Sequence, residues 1–162
     1  MLVCRRAYDE EINSIMELVI RTFTGEQDIP QELNYLPAEK QPHWFCAEEN
    51  GKLVGTIAFF RESDGWHAGR IAIEPRCRGQ HIGTRLISYA LSEMFGTGAE
   101  EIRLEARPIT VHILTGLGAQ ITGEPFPFYR STCTPIRIKR EDFCPHKSAV
   151  ADPQGLPVGK NE

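Results

Sequence analysis

Residues 76–87 read RCRGQHIGTRLI, and they stand where a strand-like run hands over to a helix-like one. Glycine lets main chain come close to a bulky anion, because no Cβ stands in the way. The N–H groups of such a turn add to the unsatisfied N–H groups of the helix's first turn, which together favour a phosphate. Arg76, Arg78 and Arg85 bring positive charge to the same place. The plainer alternative is a β-to-α connection with solvated arginines. Two common phosphate motifs are absent. A P-loop requires GxxxxGK[ST], and a dinucleotide-binding turn requires GxGxxG opening the first βαβ unit, whereas this turn comes late in the chain.

The elements around the turn follow from periodicity and punctuation. Leu2 to Arg6 reads as a short strand. Asp9 is placed to cap a helix in which Ile12, Ile15, Met16, Val19 and Phe23 recur at helical spacing to about Thr22. Thr24 to Gln41 holds two prolines and no period, so a long loop with at most a short helix is expected, and long loops in compact domains are often functional. Trp44–Glu48, Leu53–Phe60 and Trp66–Ile73 are separated by Asn50-Gly51 and Asp64-Gly65, which predicts a three-stranded antiparallel meander. After the turn, Ile82, Leu86, Ala90 and Met94 repeat every four residues in a helix closed by Gly96 and Gly98. Glu101 to Ala106 alternates as a strand parallel to the one before that helix. Pro108 opens a short helix through Leu117, and strands are expected near Gln120–Tyr129 and Thr132–Lys139. The order is α/β (α+β): a mixed sheet, antiparallel in its N-terminal half, with one central parallel βαβ crossover and flanking helices. Residues 1–143 form one domain, and 144–162, rich in Pro, Gly, Lys and Asn, read as a flexible C-terminal tail.

Composition narrows the function classes. The chain has 162 residues, 41% of them apolar and 25% charged, with a formal net charge of −4. An acidic chain disfavours nucleic acid as a bulk electrostatic partner. A small anionic ligand suits the local cluster of Arg70, Arg76, Arg78 and Arg85. Five cysteines form an odd set without regular spacing, which predicts free thiols in a reducing compartment. Cys133, Cys144 and His146 match no zinc pattern, so no metal is expected. With no apolar run of membrane-spanning length and Arg5-Arg6 interrupting any leader-like start, a cytoplasmic protein without membrane association is predicted.

A meander feeding a parallel βαβ around this turn resembles the GCN5-related N-acetyltransferase (GNAT) superfamily, whose diphosphate loop reads [QR]-x-x-G-x-[GA]. The matching residues are Arg78, Gly79, Gln80, His81, Ile82 and Gly83, followed by Thr84. One member departs from the pattern, since His81 stands where the inner glycine is usual; its N–H can still face a phosphate if the local φ is negative. A second stretch, GEQDIPQE (Gly25 to Glu32), looks like the EQ-x-x-P-x-E loop of a small bacterial branch.

The resemblance implies direct acyl transfer from acetyl-CoA, as co-substrate, to the primary amine of a small molecule. It implies that Ile71, Ala72 and Ile73 pair with the pantetheine arm, that two parallel strands splay to admit the thioester, and that residues 78–84 hold the diphosphate. An ammonium nucleophile must lose a proton, and Glu26, then Glu32, are the candidate bases in the long loop. Arg70 is always charged, so it would clamp a carboxylate on the acceptor or form a structural ion pair. The tyrosine that commonly protonates the leaving thiolate is replaced by Leu114, and the usual asparagine by Glu105. His112 is the candidate substitute for that tyrosine. The missing tyrosine and His81 leave a non-catalytic acyl-CoA sensor or interaction module open, and the resemblance of the Arg21–Leu33 loop to autoinducer synthases leaves open an N-acyltransferase for longer acyl chains. Either a monomer or a homodimer fits.

Overall fold

The computed structural model describes residues 1–147, together with the backbone of Val150–Ala151 and Pro157–Val158. Eight strands form the sheet: β1 (Leu2–Arg6), β2 (His43–Glu49), β3 (Lys52–Glu62), β4 (Gly65–Ile73), β5 (Glu101–Ala106), β6 (Gln120–Ile121), β7 (Phe126–Phe128) and β8 (Ser131–Lys139). Their spatial order is β1-β2-β3-β4-β5-β8-β6, with β7 also on β8. Every pair is antiparallel except β4–β5. Helices α1 (Ile12–Ile20), α2 (Ile82–Gly96) and α3 (Pro108–Gly116) flank it, and the short strands β9 (Val150–Ala151) and β10 (Pro157–Val158) pair with each other.

The i, i+4 repeat of α2 does what its pattern requires. Leu86, Ala90, Leu91 and Met94 are buried against Phe59, Ile102 and Ile136 on one face of the sheet. On the opposite face Ile15 and Val19 of α1 pack on Trp44 and Ala58. Both faces of the central strands are therefore covered, and β3 is accordingly apolar over seven consecutive residues from Val54, broken only by Gly55 and Thr56.

Three local expectations are corrected. Asp9 does not cap α1: a 3₁₀ turn, Asp9–Glu11, precedes the helix, and the Tyr8 N–H donates to Glu11 Oε1 at 2.8 Å. Glu11 takes that role because Arg5 already holds its carboxylate, at 2.7 and 2.9 Å, close to the start of the turn. The helix does not end at Thr22 but widens into a π-helical segment, Arg21–Glu26, followed by 3₁₀ turns at Gln31–Asn34 and Ala38–Lys40. Finally, the strand expected over 120–129 is split into β6 and β7. Pro125 and Pro127 have no N–H for a ladder, and a Cβ on Gly123 would crowd Pro135 at 3.1 Å.

The sheet's central irregularity lies in β4. Thr56 pairs with Ala72 and Ala58 with Gly69, so two residues of β4, Arg70 and Ile71, oppose one of β3. That is a β-bulge, and Arg70 within it takes φ = +54°. On the other edge β4 pairs with β5 only at Trp66↔Ile102 and His67↔Arg103. Beyond those two rungs the parallel strands have no ladder between them.

After β8, the segment 140–146 folds back across the helix ends. A Cβ on Gly118 would overlap the Asp142 carbonyl oxygen, so glycine is required there on space as well as on φ = +108°. Cys144 N–H donates to the Leu117 carbonyl and His146 N–H to Ser88 Oγ, both at 2.8 Å. The expected tail from residue 144 thus begins with docked residues, and its part from 148 onward lies, but for two strand fragments, outside the described residues.

Candidate active site

Helix α2 is entered through a 3₁₀ turn, Pro75–Cys77, then Arg78, Gly79, Gln80 and His81. The φ values alternate in hand: −72° at Arg78, +82° at Gly79, negative at Gln80 and +62° at His81. Alternating hand turns successive N–H groups toward a common concavity, a main-chain anion site. The condition placed on His81, a negative φ, is not met: the residue is left-handed, at φ = +62°. His81 fills a left-handed position that the alternation requires, and histidine enters that region more readily than a β-branched residue. Among the described residues no acceptor takes an N–H from Gly79 through Thr84, and a side chain at Gly79 would meet open space. The positive end of α2 adds to the same field.

Arg78 fixes this turn. Its Nε donates to the Ile73 carbonyl at 3.0 Å, and Nη1 and Nη2 form a bidentate pair with Glu26 at 2.9 and 3.2 Å. The π-helical segment is thereby tied to the turn, and Arg21 repeats the device with Glu74 at 3.0 Å. That pairing holds the Glu74 carboxyl below its ordinary range.

Two cavities meet at the unzipped end of β4. The larger, about 740 Å³, runs along Ile71, Ala72 and Ile73, the turn and the start of α2. Of the residues expected to hold a cofactor, Ile71, Ala72, Ile73, Arg78, Gly79, His81, Ile82, Gly83 and Thr84 line it. Gln80 does not line it, and its amide reaches back to the Arg76 carbonyl at 3.5 Å. His112 borders this cavity from the exposed face of α3. Leu114, at the position of the missing tyrosine, is fully buried. Thr22 also lines this cavity, 3% exposed, and its hydroxyl has no hydrogen-bond partner among the described residues.

The smaller cavity, about 470 Å³, lies on the other side of the gap and is walled by Phe23, Tyr35, Phe60, Phe126 and Phe128. Arg70, Glu105 and Arg107 supply charge to it. Arg70 Nε and Nη2 donate to the carbonyls of Asn34 and Leu33 at 2.9 and 3.0 Å, so these donors tether the loop rather than an ion pair. Burial pulls its pKa below the usual arginine value. Glu26 lines neither cavity because it is committed to Arg78. Glu105, exposed, faces the smaller cavity and has no ion-pair partner among the described residues. Burial pushes the Cys133 thiol in the same wall upward, against the opposing effect of Arg107.

Phe23, Gln27, Ile71, Arg107 and Thr110 line both cavities and mark the junction. Sequence reasoning missed Arg107 and Thr22. Arg107 carried a usable signal, because it lies at the C-terminal end of a parallel strand just before a helix-opening proline, where open α/β sheets place ligands. Thr22 carried none.

The comparisons with known proteins agree with this geometry. The model of the acetyltransferase (GNAT) family matches residues 12–112. An aminoalkylphosphonate N-acetyltransferase of Salmonella typhimurium is 29% identical over 111 residues, 62% of this chain and 72% of that protein. The crystal structure of Escherichia coli ElaA superposes with a TM-score of 0.71 at 15% identity, covering 86% of this chain and 99% of that one. FeeM, an N-acyl amino acid synthase from uncultured soil microbes, superposes at 0.70 with 14% identity, covering 88% and 92%. A central parallel pair that separates after two rungs, with a glycine-containing turn into a helix at one side of the gap, therefore has a family: the chain belongs to the acetyltransferase (GNAT) family.

Proposed function

We propose that this chain transfers an acetyl group from acetyl-CoA directly to the primary amine of a small molecule. The observation that carries the reading is the gap between β4 and β5, where a cavity lined by free main-chain donors meets one lined by side chains. The residues present fit the co-substrate: free N–H groups over Gly79–Thr84 for a diphosphate, the open edge at Ile71–Ile73 for an extended amide-bearing arm, and an unpartnered Thr22 hydroxyl within the cavity. When bound, acetyl-CoA supplies a thioester carbonyl that an amine can attack. Gln80 contributes main chain to the turn, not its side chain.

The chain's own groups then divide the work. Holding amine and thioester at one gap contributes the orientation on which direct transfer depends. The open edge of β4 offers main-chain N–H groups where negative charge develops on the carbonyl oxygen. Glu105 accepts the ammonium proton from the acceptor side, and Glu26 acts on the turn through Arg78. His112, exposed beside the larger cavity, is the group placed to return a proton to the departing sulfur. Arg70 tethers the Leu33–Asn34 wall. An acceptor that also carries an anion belongs to this reading, because Arg70 and Arg107 line its cavity with no ion-pair partner among the described residues, while Lys40 is paired with Glu62; the relative named for aminoalkylphosphonates points to an amine of the same kind.

Free thiol released from acetyl-CoA only when an amine is added is the expected result, with acetyl-CoA binding measured separately by calorimetry. Binding without turnover across a broad amine panel would make the chain an acyl-CoA sensor. Faster transfer from longer acyl-CoA donors would make it a longer-chain N-acyltransferase. Absence of binding would overturn the reading.

A further inference from the structure

Arg107 sits at the junction with most of its guanidinium already placed. Its Nε donates to Gln27 Oε1 at 3.1 Å, its Nη1 donates to the Phe128 carbonyl, and its charge lies 5.3 Å from the centre of the Phe128 ring. Nη2 is buried and has no protein acceptor. No carboxylate forms an ion pair with Arg107 among the described residues. A guanidinium stays charged at any working pH and matches a carboxylate in a fixed planar geometry. Leaving one of its N–H groups buried and unpaired is costly unless a ligand completes it. The group is also pre-positioned, since Gln27 and Phe128 hold it from two sides before any ligand arrives.

Its location restricts the ligand further. Arg107 lines both cavities, so an anion that displaces what covers its buried Nη2 lies beside the gap where the amine must meet the thioester. Amine and anion thus belong on the same carbon or on neighbouring ones. The rest of the molecule has to extend away from the gap, into the smaller cavity, where Phe60, Phe126, Phe128 and Tyr35 stand in the wall beside Leu33, Leu36 and the Lys40–Glu62 pair. Rings pack on rings in offset or edge-on arrangements, and the volume of about 470 Å³ is within the range of small-molecule sites.

Resting on the proposed transfer reaction, we infer that the acceptor is an α-amino acid with an aromatic side chain, its carboxylate on Arg107 Nη2 and its ring among Phe60, Phe126 and Phe128. The α-ammonium gives up one proton to Glu105, its nitrogen forms the new bond to the acyl carbon, and the carbon–sulfur bond breaks with its electron pair on sulfur, which takes up the second proton that the nitrogen loses. The product is an N-acetyl amino acid whose carboxylate is unchanged.

The test compares phenylalanine, phenethylamine and alanine as acceptors, read as thiol release, with acetyl-CoA titrated alone in parallel. A site that pairs a buried polar group with its substrate discriminates strongly against an analogue lacking the partner. Wild-type kcat/KM for phenylalanine is expected to exceed that for phenethylamine by about tenfold or more. Arg107→Gln collapses that ratio toward one and weakens calorimetric binding of phenylalanine more than that of acetyl-CoA. Phe128→Leu separately lowers the preference for phenylalanine over alanine by several-fold and keeps the inference testable if the first variant folds poorly. Equal rates for phenylalanine and phenethylamine in the wild type would overturn the inference while leaving acetyl transfer intact. So would an Arg107→Gln effect confined to the KM for acetyl-CoA. Failure of acetyl-CoA to bind at all would instead remove the reaction on which the inference rests.

Discussion

The two cavities that meet beside Ile71 are made of different material. The larger presents main-chain donors, from an open strand edge, a turn of alternating φ and the start of α2, beside apolar side chains such as Ile82, Ile109 and Ile113. The smaller is walled by side chains delivered from the π-helical segment, the loop at 29–36, β3, and the β7–β8 hairpin. Main-chain donors are the same whatever residue carries them, so a site built from them tolerates substitution and holds one common ligand. A site built from Phe60, Phe128 and Arg107 changes with each residue, which suits it to choosing among acceptors.

If that division holds, damage on one side of the gap should not spread to the other. The largest expected effect is on the acceptor side. Glu105→Gln removes the carboxylate without changing its size, and kcat falls by about a hundredfold, within the usual span for a positioned base. Acetyl-CoA affinity, measured by calorimetry, should hold, since Glu105 does not line the larger cavity. A parallel loss of acetyl-CoA binding would break the comparison.

A smaller effect, of two opposite signs, is expected on the donor side. Thr22→Val keeps the branched shape and deletes a buried hydroxyl that has no protein partner. Without ligand the protein gains about 1 kcal/mol, seen as a rise in Tm of about 2–4 °C for a chain of this size. In complex it loses the bond that hydroxyl would make, and the Kd for acetyl-CoA rises by about fivefold. Thr22→Ser should restore most of the affinity. A variant that is merely less stable, with affinity unchanged, would show that the hydroxyl faces no ligand.

The same division explains what the sequence made legible. The meander, α2 and β5 follow from period and punctuation, and Arg78-Gly79-x-x-x-Gly83 lies in one continuous stretch, so the turn that borders the larger cavity could be read from sequence, though Thr22 could not. Nothing local announces that Arg107 will meet Gln27, eighty positions away, or the Phe128 carbonyl, reached only because prolines split β6 from β7 and turn the hairpin inward. Glu26 misled for the same reason. As a carboxylate in a long loop it suited a base, yet its position is set by Arg78 from a segment 52 residues further on. The residue that marks Arg70, a left-handed φ inside a strand, has no signature in sequence either, because arginine has no preference for such a bulge.

His81 offers the finest test of how far the donor side is main chain. An L-residue in the left-handed region costs about 1–2 kcal/mol relative to the right-handed one. Glycine removes that cost but gives the unfolded chain about 0.4–1 kcal/mol of additional freedom to lose. His81→Gly should therefore stabilise by about 0–1.6 kcal/mol, a rise in Tm of at most about 3–6 °C. His81→Ala keeps the strain while removing the same ring, so it gains nothing. If the turn binds through its N–H groups, both variants bind acetyl-CoA within about twofold of wild type, well inside the loss expected of a charged contact. If both weaken it alike by tenfold, the imidazole is itself a contact, and the larger cavity would, at its mouth, be built as its neighbour is.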